Sequence, residues 1–353
     1  MSLVREGSSW RSEDRCLPIG RRSRLEAKDF ALSLQPQTEV LMKALLLLAF
    51  GGPHSLAEVE PFLTRLFRGR RPSQEVLERV RERYRLIGGA SPLFKITQEQ
   101  AKRLEKRLSE KGHLFKSYVG MRYGHPMIEE TMKEMLKDGI EEVIAIPMAP
   151  FQSRESTGAY IEEVKRVQKN IGEVLKVSFV VGWHMHPLFL EAIREKVHEG
   201  LMGFTPEERK RVHFLFTAHS LPKSIVEKDP YTREIEETIQ GVVDGLEHRA
   251  WKMAYQSKGG GPEEWVGPDV ESVLTNLSKE GVQKVLIVPI GFVSDHIEIL
   301  YDIDILYREK AKSLGMKLRR TTSLNFSEKF IEALSAIVEE HMKGSKDPSL
   351  LVG

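Results

Sequence analysis

Between residues 291 and 304 the chain reads GFVSDHIEILYDID, a histidine and four carboxylates set among Ile, Leu and Tyr directly after an apolar run ending in Val288 and Pro289. Burying a carboxylate costs several kcal/mol unless a partner or a metal compensates it. Glu298 and Asp302 stand at i and i+4, one above the other on a helix, where two like charges repel unless something positive lies between them. Asp295 followed three residues later by Glu298 also has the spacing of a capping box, which is the purely structural reading of half of these acids.

His219, in FLFTAHSLPKS, falls at the end of an apolar stretch that reads as a strand. Ser220 is merely its neighbour and no nucleophile elbow surrounds it, so a Ser–His triad is disfavoured. An imidazole and a carboxylate brought together at strand ends make either a general acid–base pair or an N/O site for a divalent transition metal such as iron. His184 and His186, in WHMHP, are two apart near a strand end, point to opposite sides and are read as structural. Arg65, Arg68, Arg70 and Arg71 cluster in RLFRGRRP, either a solvated basic loop or a seat for an anionic ligand. Gly51, in the GGP of residues 51–53, belongs to no phosphate-loop pattern, and its lack of a side chain allows a ligand close to the backbone.

The elements that must position these groups are legible from Met42 onward. Runs such as KALLLLAF, EEVIAIPM, VSFVVGW, VHFLFTA and QKVLIVPI alternate with amphipathic stretches, the order expected of parallel sheets covered on both faces. In TQEQAKRLEKRLSEKG, residues 97–112, Ala101, Leu104 and Leu108 fall on one face and Gly112 closes the helix. Residues 125–147 lie without a gap on 267–289, matching Pro126 with Pro268, Gly139 with Gly281, Val143 with Val285 and Pro147 with Pro289. The fold class expected is therefore α/β: two similar doubly wound, Rossmann-like domains with parallel four-stranded sheets. The expected boundaries are 42–165 and 166–325, with a closing helix at 326–343 and a tail at 344–353. Ligands of such folds bind beyond the carboxyl ends of the strands. AFGGPHS, APFQSREST, TAHSLP and GFVSDHIE each follow a predicted strand and so converge there.

Bulk composition narrows the function. The chain has 353 residues, 41% hydrophobic and 29% charged, with 53 Lys+Arg against 51 Asp+Glu, a balance too even to argue for nucleic acid. The single cysteine, Cys16, excludes an internal disulfide framework and a cysteine-ligated iron–sulfur cluster within one chain, and suits a reducing cytoplasm. The longest strong apolar run, ALLLLAF, is far short of the roughly 20 residues of a membrane span. Residues 1–41 are polar and arginine-rich without periodicity and are expected to be a poorly ordered extension upstream of Met42.

Together these segments resemble the ferrochelatase family, a chelatase-like fold whose members insert ferrous iron into a porphyrin during haem biosynthesis. FTAHSLP and GFVSDHIEILYDID look like its two signatures, supported by RYRLIGGASPL, VGMRYGHP and QSKGGGPEEWVGPDV. The resemblance implies a lyase with His219 and Glu298 as the inner metal-binding and proton-accepting pair and Asp302 one turn further along. It implies ferrous iron as substrate, with no retained cofactor. Porphyrin contacts implied with it are Phe50 (tyrosine in many relatives), Gly51, Arg83, Ser91, Arg122, Tyr160 and Trp265, and Arg68 and Arg71 on the basic loop. Leu306, where the family's next carboxylate often stands, puts an outer iron-delivery site in doubt. The short basic RGRRPSQEVLERVRERY resembles the coproporphyrin-using branch, and four propionates give added arginine a chemical purpose. VGMRYGHP and ESTG lean instead toward protoporphyrin IX enzymes. A non-catalytic iron- or haem-binding protein is the alternative of a different class, and a cobalt or nickel chelatase the sibling one. A monomer in the cytoplasm, without a transmembrane segment but with room for peripheral membrane contact, completes the expectation.

Overall fold

The structure, a computed structural model, describes residues 43–247, 250–260 and 262–344. The expected extension at 1–41 and the tail from 345 lie outside the described residues. Two four-stranded, all-parallel sheets form the molecule. In the first, β1 (Lys43–Ala49) pairs with β2 (Lys116–Met121) and β3 (Glu142–Pro147), and β4 (Lys176–Phe179) closes the edge, in the order β2-β1-β3-β4. The second repeats the order as β6-β5-β7-β8, with β5 (His213–His219), β6 (Trp251–Gln256), β7 (Lys284–Val288) and β8 (Lys317–Arg320).

Strand β1 shows why the apolar runs are continuous rather than alternating. Leu45 and Leu47 point into a core shared with Phe214, Phe216 and Phe330, while Leu46 and Leu48 point the other way onto Ile128, Met132 and Val164. Both faces are dry, as a parallel sheet requires. The principal helices are α1 (Val59–Leu66), α2 (Gln74–Leu86), α3 (Leu93–Glu110), α4 (Ile128–Lys137), α5 (Ala159–Asn170), α6 (Pro187–Leu201), α7 (Tyr231–Asp244), α8 (Val270–Lys279), α9 (Arg308–Ser313) and α10 (Glu328–Gly344). Residues of α3, α6, α7 and α10 lie in the core between the sheets, so α10 ties the second half back onto the first.

The internal repeat is physical. Met121 donates its N–H to Pro126 O and Tyr255 donates its own to Pro268 O, both at 2.8 Å, and Met121–Met127 and Tyr255–Asp269 form matching parallel bridges. Three expectations need correction. The boundary at 165/166 cuts through α5, and β4 still belongs to the first sheet, so the first half runs through Phe179. VSFVVGW is strand only to Phe179, because beyond Val180 it has left the edge. The helix read from 97 begins at Leu93, four residues earlier.

Candidate active site

Strand β5 ends on His219, and β7 leads through 289–297 into a π-helix, Glu298–Tyr307, that continues as α9. His219 Nδ1 lies 3.0 Å from Glu298 Oε2. A carboxylate only accepts, so Nδ1 carries the hydrogen, and in its neutral form the imidazole keeps its lone pair on Nε2. The Tyr231 hydroxyl donates to His219 O at 2.9 Å, and Gln256 Nε2 donates to Glu298 O at 2.9 Å, fixing the backbone beneath both side chains.

Burial works against charge on either member of the pair, yet each sustains the other. The charge and hydrogen bond of Glu298 outweigh burial and hold His219 above the usual imidazole range, with Asp302 adding to the effect. Glu298 is in turn held below the usual carboxylate range, against burial, by His219. Asp302 behaves differently. Burial pushes it up to about 6, the Ser257 hydroxyl that donates to it pulls it down, and the charge on Glu298 pushes it up again. Two acids one turn apart thus differ in proton affinity, the condition for one to bind and the other to relay.

The four carboxylates of the opening segment are divided by partner. Glu298 goes to His219 and Asp302 to Ser257, with Arg83 Nη1 3.9 Å from Asp302. Asp295 and Asp304 both go to Arg320 at the end of β8. The capping box predicted for Asp295 and Glu298 is not formed. Asp295 accepts from Ser323 Oγ and Asn325 Nδ2, and the Glu298 N–H donates to His296 Nδ1 instead. A buried arginine outcompetes a local cap.

The other expected contacts fall into two groups. Phe50 is 42% exposed, packed on Tyr123 at 4.9 Å and Phe62 at 6.4 Å. Arg122 lies over the Tyr123 ring at 4.9 Å and its charge reaches Tyr160, whose phenol burial pushes above its ordinary range. Trp265 rests against Gly259, where a Cβ would come within 2.5 Å of the indole. A bridge to Pro222 keeps it beside the chain leaving His219. Arg68 and Arg71 are exposed in the turn between α1 and α2. Arg83 faces Tyr301 and Asp302 rather than open solvent alone. Ser91 is buried, its N–H bonded to Pro53 O and its side chain against Gly52. Gly51, at φ +91°, packs closely on Gly124, whose nitrogen a Cβ would approach to 2.6 Å.

His184 and His186 sit in the turn before α6 rather than on a strand, with ring nitrogens near Glu234 and Glu237 and near Glu340. Sequence reasoning missed Tyr231, Ser257 and Arg320. Ser257 lies in the QSKGGG stretch already marked out, whereas nothing in the chain's periodicity signals Tyr231. Among the described residues no three His, Cys, Asp or Glu side chains form a closed metal cage. His219 and Glu298 stand 3.0 Å apart, with a second acid, Asp302, one turn further along.

A family sequence model described as Ferrochelatase matches residues 42–342. A ferrochelatase of Deinococcus radiodurans is 40% identical over 298 residues, covering 83% of this chain and 94% of its own length. A coproporphyrin III ferrochelatase of a Geobacillus species is 37% identical over 303 residues, covering 85% and 97%. Among solved structures, SirB from Bacillus subtilis with Fe3+ superposes with a TM-score of 0.55 at 14% identity, over 87% of this chain and 99% of that one, a likeness of fold.

Proposed function

The chain belongs to the ferrochelatase family, inserting ferrous iron into a porphyrin as a lyase of haem biosynthesis, and from that premise we propose that its porphyrin is coproporphyrin III. The observation that carries the choice is the turn between α1 and α2. Arg68, Arg70 and Arg71 are exposed there, and their side chains form no ion pair among the described residues. Coproporphyrin carries four propionates and protoporphyrin two, and guanidinium groups pair with carboxylates in two-pronged fashion. The coproporphyrin III ferrochelatase among the relatives supports the same choice.

The reaction exchanges one Fe2+ for the two pyrrole N–H protons. Neutral His219 accepts one at Nε2, its basicity raised by Glu298. Glu298, ionised, holds the incoming iron, and the second proton passes to Asp302, whose carboxyl burial pushes up to about 6. Iron is consumed as substrate, and the reading includes no retained cofactor or iron–sulfur cluster. No helix among the described residues is long and apolar enough to cross a membrane. A cytoplasmic monomer completes the proposal.

The test is anaerobic metallation of coproporphyrin III and protoporphyrin IX with ferrous iron, read by loss of free-porphyrin fluorescence. Wild type should favour coproporphyrin, and the triple variant Arg68→Gln, Arg70→Gln, Arg71→Gln should raise KM for coproporphyrin while leaving that for protoporphyrin nearly unchanged. Faster turnover of protoporphyrin would overturn the substrate choice. Tight porphyrin binding without turnover of either would favour a binding protein.

A further inference from the structure

One guanidinium brackets the segment that carries the reactive carboxylates. Arg320 ends β8 with its side chain only 12% exposed. Its Nε donates to Asp304 Oδ1 at 2.9 Å and its Nη2 to Asp304 Oδ2 at 2.8 Å, a two-pronged pair. Its Nη1 donates to Thr321 O at 3.0 Å and stands 3.3 Å from Asp295 Oδ1. Asp295 precedes Glu298 by three residues and Asp304 follows Asp302 by two, so the same side chain grips the segment on both sides of the two acids that pair with His219 and Ser257.

The surrounding contacts give the grip direction. The Asp295 N–H donates to Asn325 Oδ1 at 2.9 Å, and Asn325 O accepts from Gln100 Nε2 of α3 at 2.6 Å. The clamp is thereby anchored to the central helical layer rather than to the π-helix itself. A π-helix has wider, less well bonded turns than an α-helix and is found chiefly at functional positions. Held only by its own backbone, it would let Glu298 drift along the His219 ring. Asp304 also accepts from Arg308 at 3.2 Å, an exposed bond one turn away that holds only the far end.

We propose that Arg320 is a positioning residue, which fixes the reach of Glu298 to His219 by bracing Asp295 and Asp304 together, and which touches neither porphyrin nor iron. The inference rests on the reading of Glu298 as the iron-holding carboxylate. It also explains why four acids occur in fourteen residues: the outer two are anchors for one arginine, and the inner two are left to His219 and Ser257.

The test uses the full chain with Arg320→Lys, Asp304→Asn and the double variant. Each is read by iron-insertion kinetics, thermal midpoint, and titration with cobalt(II) alone followed in its visible absorption band. Supporting groups behind a metal-contacting residue are typically worth about 10–100-fold, and a loss of kcat in that range is expected for Asp304→Asn, with porphyrin KM within about twofold of wild type and a weakened, broadened cobalt band. Arg320→Lys, which keeps the charge but not the fork, should fall between. The double variant should lose far less than the product of the two single losses, since both act on the Arg320–Asp304 pair. Wild-type kcat and cobalt binding in both single variants would overturn the proposal, as would losses that track the thermal midpoint alone. Failure of wild type itself to metallate or to bind cobalt would instead count against the functional reading beneath it.

Discussion

The two halves of the molecule are built on one plan and armed differently. Leu47 pairs with Ile146 in the first sheet and Phe216 with Val288 in the second, and Ile146 and Val288 coincide when the repeat is overlaid. Counting three residues on places Phe50 where the other half has His219. Both β3 and β7 also lead into π-helices, Arg154–Gly158 in the first half and Glu298–Tyr307 in the second. The first-half π-helix is one turn long, and its entry is tied to the other half through Ser153 Oγ and the Arg154 N–H, both donating to Asp229. One strand end carries an imidazole paired with a carboxylate, and its counterpart carries a half-exposed phenylalanine. A strand end supplies position, and the partner across the sheet decides whether position becomes reactivity.

That contrast can be broken most directly at its centre. His219→Ala should lower turnover by about 10²–10⁴-fold, the usual worth of a positioned base, while porphyrin still quenches on binding. Phe50→Ala should leave most of the turnover intact. Moving the imidazole across, as Phe50→His in the His219→Ala background, should rescue nothing, because no carboxylate of the first half stands where Glu298 does. Recovery of turnover in that double variant would mean that the halves are chemically interchangeable.

Next in size are the buried strand centres, which should not differ between halves. Leu47→Ala and Phe216→Ala remove fully buried side chains from the shared core. They should cost about 2–5 and about 3–5 kcal/mol respectively in denaturant unfolding. A loss below about 1 kcal/mol at either site would show that half to be loosely packed.

The smallest effect sharpens the comparison at equivalent helix starts. Asp269 caps α8, accepting from the Ser272 N–H at 2.9 Å, and Asp269→Ala should cost about 1 kcal/mol. At the matching position of α4 stands Met127, whose own N–H is held by Glu130 at 2.7 Å. Met127→Ala should therefore cost less, and Glu130→Ala more, by thermal unfolding.

Much of this plan could be read from the chain. Buried parallel strands leave continuous apolar runs, the repeat leaves matched Pro and Gly, and His219 and Glu298 stand where such folds carry chemistry. What could not be read was decided by partners far away in sequence. The i, i+3 spacing of Asp295 and Glu298 promises a cap, but Arg320, Ser323 and Asn325 claim Asp295 from another strand exit. Nothing around Gly51 in the sequence announces that Gly124 packs against it. VSFVVGW has the composition of a long strand, yet as an edge it is paired only to its middle. Periodicity reports how a segment is buried, not which side chain from elsewhere meets it.

The bond from Gln100 to Asn325 spans 225 residues. At the 5–20 residues per second of protein synthesis, the first half waits about 10 to 45 s on the ribosome after α3 emerges before that partner exists. During this interval the face of α3 that will meet α10 has no cover of its own, since Phe330 and Leu334 are still unmade. A half-built copy of this protein is thus a sheet with one dry side exposed. Its yield in a cell should depend on holdase chaperones and on growth temperature more steeply than the stability of the finished fold would suggest.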